Sequence, residues 1–220
     1  MDIRTEKLRK VYKVGEDEIV ANNDLDLVIN DGEFVAIMGT SGCGKTTLLH
    51  LLGGLDNPTS GNVFVGGNDL SKMKDSDLSS FRCKELGFIF QKFNLLNELT
   101  VKENIIMPIL ISKNEVDEAY IDELCKYLKI DDRLDHTPLQ ISGGQQQRVA
   151  IARALANNPG VILCDEPTGN LDKKNSEDVV ELLQNIHSKY KKTIVMVTHD
   201  SNVASKADRI IRMEDGRIID

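Results

Sequence analysis

Residues 39–46 read Gly39-Thr40-Ser41-Gly42-Cys43-Gly44-Lys45-Thr46 and fit the pattern Gly-x-x-x-x-Gly-Lys-Ser/Thr. Glycines let a tight loop turn its backbone N–H groups inward, which forms a nest for an anion. In this pattern the lysine reaches the β- and γ-phosphates of a nucleotide, and the last hydroxyl binds Mg²⁺. The segment, called the phosphate loop below, therefore predicts a binding site for a nucleoside triphosphate.

The sequence on both sides of the phosphate loop agrees with this interpretation. Phe34–Met38 is a continuous apolar run, which is typical of a strand buried on both faces. Thr47–Leu52 follows as a predicted helix, whose N-terminus adds the positive end of its dipole to the anion site. The alternative is a glycine turn that merely joins a strand to a helix. The buried strand before the loop and the helix after it favour the nucleotide site.

Composition limits the classes of protein that remain. The chain has 220 residues, 40% of them hydrophobic, and its 27 Lys and Arg against 35 Asp and Glu give a net charge of −8. This length suits one large domain, or one domain with a subdomain. Nucleic acid is not expected as a partner, because a general nucleic-acid binder needs a basic face. A local nest still holds a nucleotide's phosphates on an acidic protein.

Cysteine spacing and hydropathy predict a cytoplasmic chain. The four cysteines lie at positions 43, 83, 125 and 164 with no C-x-x-C pair, so neither a zinc site nor a redox pair is indicated. The absence of a secretory signal also favours a reducing cytosol. The longest apolar run, Ile105–Ile111, contains a proline and is far shorter than the ~20 residues that span a bilayer. We expect the chain to be soluble by itself.

The order of predicted elements indicates an α/β fold with an inserted helical part. Strands are predicted over residues 1–38 and near 63–65 and 86–90, helical periodicity from about 92 to 158, and buried strands at 161–164 and 193–197 with a helix between them. In the first region Leu25, Leu27 and Ile29 alternate with Asp26, although Val28 weakens the pattern.

Two carboxylates end the predicted strand Val161–Cys164, where Asp165 and Glu166 follow directly. In a doubly wound sheet, ligands bind at the carboxyl ends of the strands. Asp165 is therefore placed to hold Mg²⁺ through water as the partner of Thr46, and Glu166 to polarise an attacking water as a general base. The alternative is that both carboxylates are merely solvated at the strand end. The phosphate loop upstream favours the metal and base roles over that interpretation.

A third motif, Ile141-Ser142-Gly143-Gly144-Gln145, opens a predicted helix. Ser142 and Gln145 also fit an S-x-x-Q capping box, so the pentapeptide alone has a purely structural explanation. The order phosphate loop, this pentapeptide, then the Asp-Glu strand resembles the ATP-binding-cassette (ABC) ATPases, whose signature normally reads Leu-Ser-Gly-Gly-Gln. Pro167–Asp172 is similar to the branch with lipoprotein-release, macrolide-export, antimicrobial-peptide-resistance and cell-division ATPases.

The resemblance implies a fold with defined parts. These are a P-loop NTPase core with a mainly parallel sheet, an N-terminal antiparallel β subdomain and an inserted α-helical subdomain. Residues 1–220 would form a single nucleotide-binding domain. Within it, 1–91 and 159–220 would make the core with the β subdomain, and 92–158 the helical subdomain with the signature.

The resemblance also implies roles for individual positions. Glu166 is implied as the base and His199 as the switch that senses the γ-phosphate, with Lys45 and Gln91 as further catalytic residues. Mg²⁺ contacts are implied for Thr46, Gln91 and Asp165. Contacts to ATP are implied for Tyr12, Gly39, Thr40, Ser41, Gly42, Cys43, Gly44, Lys45, Thr46, Thr47, Ser142, Gly143, Gly144, Gln145 and Asp172. Tyr12 would stack on adenine; a tyrosine on a strand face is the alternative.

The implied function is that of the ATPase subunit of an ABC transporter on the cytoplasmic face of the cell membrane. Two copies would close head to tail on two MgATP and drive a separate membrane permease, as an exporter or mechanotransmission system for lipoproteins, peptides or antimicrobials. The residues Phe93–Val101 could line a groove for a helix of that permease. A place in the core of the helical subdomain is the alternative for their apolar side chains. Three alternatives stay open: a cell-division ATPase that regulates cell-wall hydrolysis, a soluble cassette in iron–sulfur assembly, translation or DNA repair, and a small-molecule kinase.

Overall fold

The computed structural model describes residues 1–219, which form ten strands and seven α-helices. The strands are β1 Ile3–Val14, β2 Asp17–Ile29, β3 Phe34–Gly39, β4 Ser60–Val65, β5 Asn68–Asp69, β6 Leu86–Phe90, β7 Val161–Asp165, β8 Thr193–Thr198, β9 Arg209–Glu214 and β10 Arg217–Ile218. The helices are α1 Lys45–Leu52, α2 Asp75–Glu85, α3 Val101–Ile111, α4 Glu118–Tyr127, α5 Gly143–Leu155, α6 Lys173–Tyr190 and α7 Ser201–Ala204. In this part of the chain, no helix is both long and apolar enough to cross a membrane.

The central sheet has six strands in the order β10-β9-β3-β8-β7-β6. All neighbours pair in parallel except β10 with β9. Met38 lies opposite Thr198, and Phe90 lies opposite Asp165, so β3, β8, β7 and β6 end at one edge of the sheet. That register places the segments that follow these four strands side by side.

A second, antiparallel sheet has the order β2-β1-β4-β5. Its strand β2 buries Leu25, Leu27 and Ile29, whereas Val28 is 53% exposed. The alternation predicted for this segment is therefore present, and Val28 faces solvent. The strand β1 carries Tyr12 toward the end of its hairpin with β2, where Tyr12 pairs with Ile19.

Both faces of the central sheet are covered, which explains its continuous apolar strands. In β3, Phe34 and Ala36 pack in one core with residues of α3 to α6, while Val35 and Ile37 pack in a second core with residues of α1 and the antiparallel sheet. Every residue of β8 is buried. The mainly parallel core with its antiparallel sheet and helices matches the predicted fold class.

The helical region differs from the prediction in two respects. The helix α2 was not predicted, because only Leu78 of its eleven residues is buried and no apolar periodicity results. Its sequence signal is the charge pattern instead, with Asp75 and Asp77 in the first turn and Arg82 and Lys84 in the last, which complements the helix dipole.

The segment 92–100, predicted as helical, contains no helix. Asn94 adopts a left-handed backbone conformation with φ +50°, and Thr100 caps α3 in a capping box with Glu103. The T-x-x-E signal in the sequence therefore marks the true start of the helix at Val101. The division at residues 91–92 and 158–159 stays a proposal.

Candidate nucleotide-binding site

The phosphate loop follows β3 and depends on its glycines for its path. Gly42 and Gly44 have φ values of +82° and +100°, which L side chains rarely adopt. A Cβ on Gly44 would lie 2.0 Å from the carbonyl oxygen of Ala21, and one on Gly39 would lie 2.2 Å from that of Met213. The loop is thus fixed between β2 and β9, and no other residue fits at either position.

Lys45 is folded into the loop. Its side chain is only 7% exposed, and its Nζ donates to the carbonyl oxygens of Gly39 at 2.9 Å and Thr40 at 2.8 Å. The sulfur of the buried Cys43 lies 3.8 Å from Nζ. Among residues 1–219 no carboxylate forms a salt bridge with this ammonium group. A buried cation with only neutral partners is suited to a phosphate.

Thr46 and Asp165, 119 positions apart in the sequence, bring two oxygen ligands together. The Thr46 hydroxyl donates to Oδ1 of Asp165 at 2.9 Å. Hard cations such as Mg²⁺ bind carboxylate and hydroxyl oxygens, usually together with waters and phosphates. This pair lies beside the phosphate loop, so the residues fit the predicted metal.

Glu166 and His199 form a second pair at the same sheet edge. Glu166 Oε1 lies 2.9 Å from His199 Nδ1; the glutamate side chain is 16% exposed and the histidine 70%. Glu166 has φ +46° and donates its backbone N–H to the carbonyl of Val197. A non-glycine residue in this conformation is uncommon, and such strain concentrates at functional sites. This turn places the carboxylate next to His199, the residue that follows the neighbouring strand β8.

Gln91 follows β6 and reaches the loop after Glu166. Its carbonyl accepts from Asn170 Nδ2 at 2.8 Å, and a Cβ on Gly169 would lie 2.7 Å from its Nε2. Gln147 of α5 donates from Nε2 to the carbonyl of Pro167 at 2.8 Å. The loop 166–172 therefore contacts both Gln91 and the helix that carries the signature.

The signature residues lie at the start of α5. Ser142 and Gln145 form the capping box, in which Ser142 N–H donates to Gln145 Oε1 at 2.9 Å and Gln145 N–H to Ser142 Oγ at 3.3 Å. Ser142 and Gly143 are exposed. In the described chain no hydrogen bond joins residues 142–145 to the phosphate loop. The structural explanation of the motif is thus correct, and the N–H groups of an exposed helix N-terminus remain for a ligand.

Asp172 has a structural partner as well. It caps α6 by accepting from the backbone N–H of Asn175 at 2.9 Å and from its Nδ2 at 2.7 Å. Both hydrogen bonds lower the pKa of Asp172, the backbone one first. Asn175 Oδ1 in turn would lie 2.6 Å from a Cβ on Gly144. Asn175 thus joins the loop of Asp172 to the signature within one chain.

Tyr12 is held by charged neighbours. Its hydroxyl donates to Asp56 Oδ2 at 2.7 Å, and Lys10 Nζ lies 4.9 Å from its ring centroid while pairing with Asp56 at 2.6 Å. Burial raises the pKa of Tyr12, and the hydrogen bond to Asp56 raises it further. A hydrogen bond with Thr47 lowers the pKa of Tyr12. Because Thr47 belongs to the first turn of α1, the Tyr12 hydroxyl lies near the start of that helix. The stacking of Tyr12 on adenine stays a prediction.

Comparison with known proteins identifies the family. The family model described as "ABC transporter" matches residues 22–169. The chain belongs to the ABC transporter family. The lipoprotein-releasing ATP-binding protein LolD of Xanthomonas campestris is 44% identical over 98% of this chain and 91% of its own. The macrolide export ATP-binding/permease protein MacB of Rhodopirellula baltica is 44% identical over 96% of this chain but only 31% of its own.

A solved structure gives the same result for the fold. The cassette MJ0796 of Methanocaldococcus jannaschii, as a dimer in a post-hydrolysis state with ADP and Pi, superposes with a TM-score of 0.90 at 42% identity. The match covers 99% of this chain and 97% of that one. The predicted P-loop NTPase fold, the ABC family and the ATPase class of enzyme are therefore confirmed. LolD and MacB belong to the branch that Pro167–Asp172 indicated.

Several residues of this ABC ATPase, which sequence reasoning missed, contact the predicted site residues or the segment after Gln91. Arg153 of α5 donates to the carbonyls of Phe93 and Asn94 in the segment after Gln91. The sequence could have indicated Arg153, because it is a charged residue three and four positions after the buried Ala150 and Val149 and therefore on the same face of α5. Asp56 and Asn175 gave no local signal, because their contacts join segments distant in sequence.

The contact between Gly144 and Asn175 makes a prediction about stability. Gly144→Ala should lower the free energy of unfolding by about 1 kcal/mol, because the new Cβ displaces Asn175 from its hydrogen bond with Asp172. Gly143→Ala is the matched control, since its Cβ would meet nothing closer than Phe93 at 3.9 Å. Urea unfolding would measure both variants. In an Asn175→Ala background the Gly144→Ala penalty should vanish; an equal penalty in both backgrounds contradicts the contact.

Proposed function

We propose that this chain is the ATP-hydrolysing subunit of an ABC transporter, in which two copies close head to tail on two ATP molecules and drive a separate membrane permease. One observation carries the proposal. Lys45, the Thr46–Asp165 pair and the Glu166–His199 pair lie at one sheet edge, whereas within residues 1–219 the signature of the same chain has no hydrogen bond to the phosphate loop. The dimeric state of the related MJ0796 cassette supports it.

Each composite site takes residues from both chains. One chain contributes Lys45, Thr46, Gln91, Asp165, Glu166 and His199, and the other contributes Ser142, Gly144 and Asp172. Thr46 and Asp165 hold Mg²⁺, which, when bound, neutralises charge on the phosphate oxygens. The remaining loop residues supply backbone N–H groups to the phosphates.

The side chains of the first chain then have separate tasks. Lys45 exchanges the carbonyls of Gly39 and Thr40 for phosphate oxygens, which are charged and therefore stronger acceptors. Glu166 accepts a proton from the attacking water at its carboxylate. His199 fixes the orientation of that carboxylate through the 2.9 Å contact. The mostly exposed His199 ring is free to respond to the γ-phosphate.

Closure supplies the work of transport. A ligand shifts a conformational equilibrium only by its differential affinity for the two states. ATP that contacts both chains binds the closed dimer preferentially, and a shift from 1:99 to 99:1 takes about a 10⁴-fold difference in affinity. Hydrolysis and loss of product remove that preference and reopen the dimer.

Ser142 offers a test of the composite site that spares the fold. Asp and Asn both serve as helix N-caps, so Ser142→Asp and Ser142→Asn should preserve α5 and differ in charge. Ser142→Asp should bind ATP as a monomer like the unmodified chain, yet lose ATP-dependent dimerisation in size-exclusion chromatography, because its carboxylate repels the partner's triphosphate. Ser142→Asn should retain more dimer. Equal dimerisation of the two variants would contradict the composite site.

The membrane partner would dock in a groove beside the segment that follows Gln91. A groove of about 400 Å³ lies between α2, β6, the end of α3 and α5. We call it the docking groove and define it by Arg82, Phe88, Phe90, Asn94, Pro108 and Arg153. Asn94 belongs to Phe93–Val101, so a helix in this groove would touch the segment that follows Gln91. A permease there would hold the ATPase on the cytoplasmic face of the membrane.

The names of the relatives indicate the class of cargo. LolD is a lipoprotein-releasing ATP-binding protein, and MacB carries an ATP-binding part and a permease in one macrolide exporter. We propose an exporter or mechanotransmission system for lipoproteins, peptides or antimicrobials, with the permease as a separate chain.

A further inference from the structure

The side chain of Gln147 is the polar exception on the buried face of α5. It is 0% exposed, and the other buried residues of this helix are all apolar. Its Nε2 donates to the carbonyl oxygen of Pro167 at 2.8 Å. Because that carbonyl can only accept a hydrogen bond, the amide nitrogen must be the atom that faces it, and the amide oxygen takes the other position.

The amide oxygen of Gln147 has no hydrogen bond. Among residues 1–219, two buried side-chain nitrogen or oxygen atoms lack a partner, Gln147 Oε1 and Asn22 Oδ1. A buried polar atom without a partner lowers stability, and native structures keep few of them. An apolar side chain would pack on α5 without this cost. The packing of the helix therefore does not explain the glutamine, whereas its hydrogen bond to Pro167 does.

The bond to Pro167 holds the turn that carries Glu166. Glu166 has φ +46°, and its carbonyl accepts from the N–H of Gly169 at 3.0 Å, which closes a turn over residues 166–169. Pro167 directly follows Glu166, and its ring fixes its own φ. A hydrogen bond to the Pro167 carbonyl thus restrains the backbone from which the Glu166 side chain extends toward His199.

The other end of this connection is the signature. Gln147 lies two positions after Gln145, and α5 begins at Gly143. In the proposed dimer, this end of α5 contacts the partner's nucleotide, while Glu166 acts on the nucleotide bound by its own chain. Gln147 is therefore a direct side-chain connection between the helix that contacts one nucleotide and the base that acts on the other.

We infer that Gln147 is a positioning residue for the general base: its amide fixes the turn of Glu166 to the signature helix, so that the carboxylate is placed for proton transfer where α5 holds that turn. Since Gln147 is fully buried, it acts on the reaction through Pro167 and Glu166 and not by contact with the nucleotide. The inference rests on the proposed function and adds a residue to it.

Gln147→Met tests this role. Methionine matches the length of glutamine and replaces both the donor and the unpaired oxygen by apolar atoms, so the fold should tolerate it. Turnover at saturating ATP should fall at least about tenfold, because a misplacement of about 1 Å can lower a rate about 100-fold. The ATP concentration at half-maximal turnover, and the rise of the melting temperature with ATP, should stay unchanged.

Gln146→Met is the matched control. Gln146 is the adjacent glutamine of α5, and its Nε2 also donates to a proline carbonyl, that of Pro138 at 3.0 Å. This bond lies on the other side of the signature from the turn of Glu166, so turnover should stay near that of the unmodified chain. Equal losses of turnover in the two variants would overturn the inference, as would normal turnover of Gln147→Met.

Mixed dimers distinguish positioning of the base from support of the signature. With Glu166→Gln chains in large excess, each active chain pairs with an inactive one, and only the active chain's own Glu166 works. A Gln147→Met chain should be slow in this mixture. An unmodified chain should turn over equally with an excess of Glu166→Gln or of the double variant Glu166→Gln, Gln147→Met, because its own Gln147 is intact. A loss with the double variant would mean that Gln147 supports the signature, which overturns the inference.

Size-exclusion chromatography with MgATP separates failure of the inference from failure of the proposed function. Glu166→Gln and the double variant should form the same amount of ATP-dependent dimer. If neither dimerises, the proposed function is wrong. If both dimerise while Gln147→Met turns over normally, only the inference is wrong. A dimer of Glu166→Gln that the double variant fails to form would also overturn the inference, because Gln147 would then act on closure and not on the base.

Discussion

Glu166→Gln should nearly abolish ATP turnover while ATP binding stays intact. The amide keeps the shape of the carboxylate but cannot accept a proton from water, and positioned general bases contribute about 10²- to 10⁴-fold to a rate. The turn at Glu166 should persist, because its backbone bond to Val197 does not involve the side chain. We therefore expect phosphate release to fall at least about 100-fold in a steady-state assay.

The same variant should accumulate as a dimer with ATP. If hydrolysis reopens the dimer, a chain that binds but does not hydrolyse ATP remains closed. Size-exclusion chromatography with MgATP should then show a species of twice the mass, which ADP does not produce. Glu181→Gln, an exposed position on α6, removes the same charge as a control and should behave like the unmodified chain. A Glu166→Gln chain that stays monomeric with ATP contradicts closure, and one that still turns over contradicts the assignment of the base.

The parts of the site that the sequence predicts are those with a local cause. An apolar run ending in Asp165 and Glu166 specifies both a buried strand and the sheet edge at which its carboxylates emerge. The phosphate loop has its glycines where φ is positive, so its conformation is encoded within eight residues. Because β3, β8 and β7 are parallel and end together, Lys45, Asp165 and His199 lie at one edge of the sheet, and no other long-range contact is needed to predict this.

The contacts that the sequence does not reveal depend on how distant segments approach each other. Lys45 turns inward onto the carbonyls of Gly39 and Thr40, and nothing in its own position distinguishes that from a lysine facing solvent. Asn175 is next to Gly144 only because α6 packs beside the start of α5. The helix α2 lacked periodicity because Leu78 is its one buried residue and Phe81 is only partly buried against the core. Charge placement at its ends was the remaining local signal.

Lys45→Met should lower the affinity for ATP at least about 100-fold. The replacement keeps the apolar stem of this buried side chain and removes the ammonium group. Hydrogen bonds to charged groups contribute about 1.5–3 kcal/mol each, and the lysine is expected to make two or more with the phosphates. The folded state should tolerate the change, because the hydrogen-bond partners of the ammonium group in the described chain are two carbonyl oxygens and the Cys43 sulfur, all neutral, and the desolvation cost of the charge is removed with it.

Thermal unfolding with and without MgATP measures both effects at once. Binding to the folded state raises its stability by RT ln(1 + [L]/Kd), so the melting temperature of the unmodified chain should rise with ATP. The Lys45→Met chain should need at least about 100-fold more ATP for the same rise in melting temperature. Lys102→Met removes the same charge on α3, where Lys102 pairs with Glu118, and should respond to ATP normally. A Lys45→Met chain with an undiminished ATP response would mean that the nucleotide binds elsewhere, because Lys45 is the residue whose ammonium group lies within the phosphate loop.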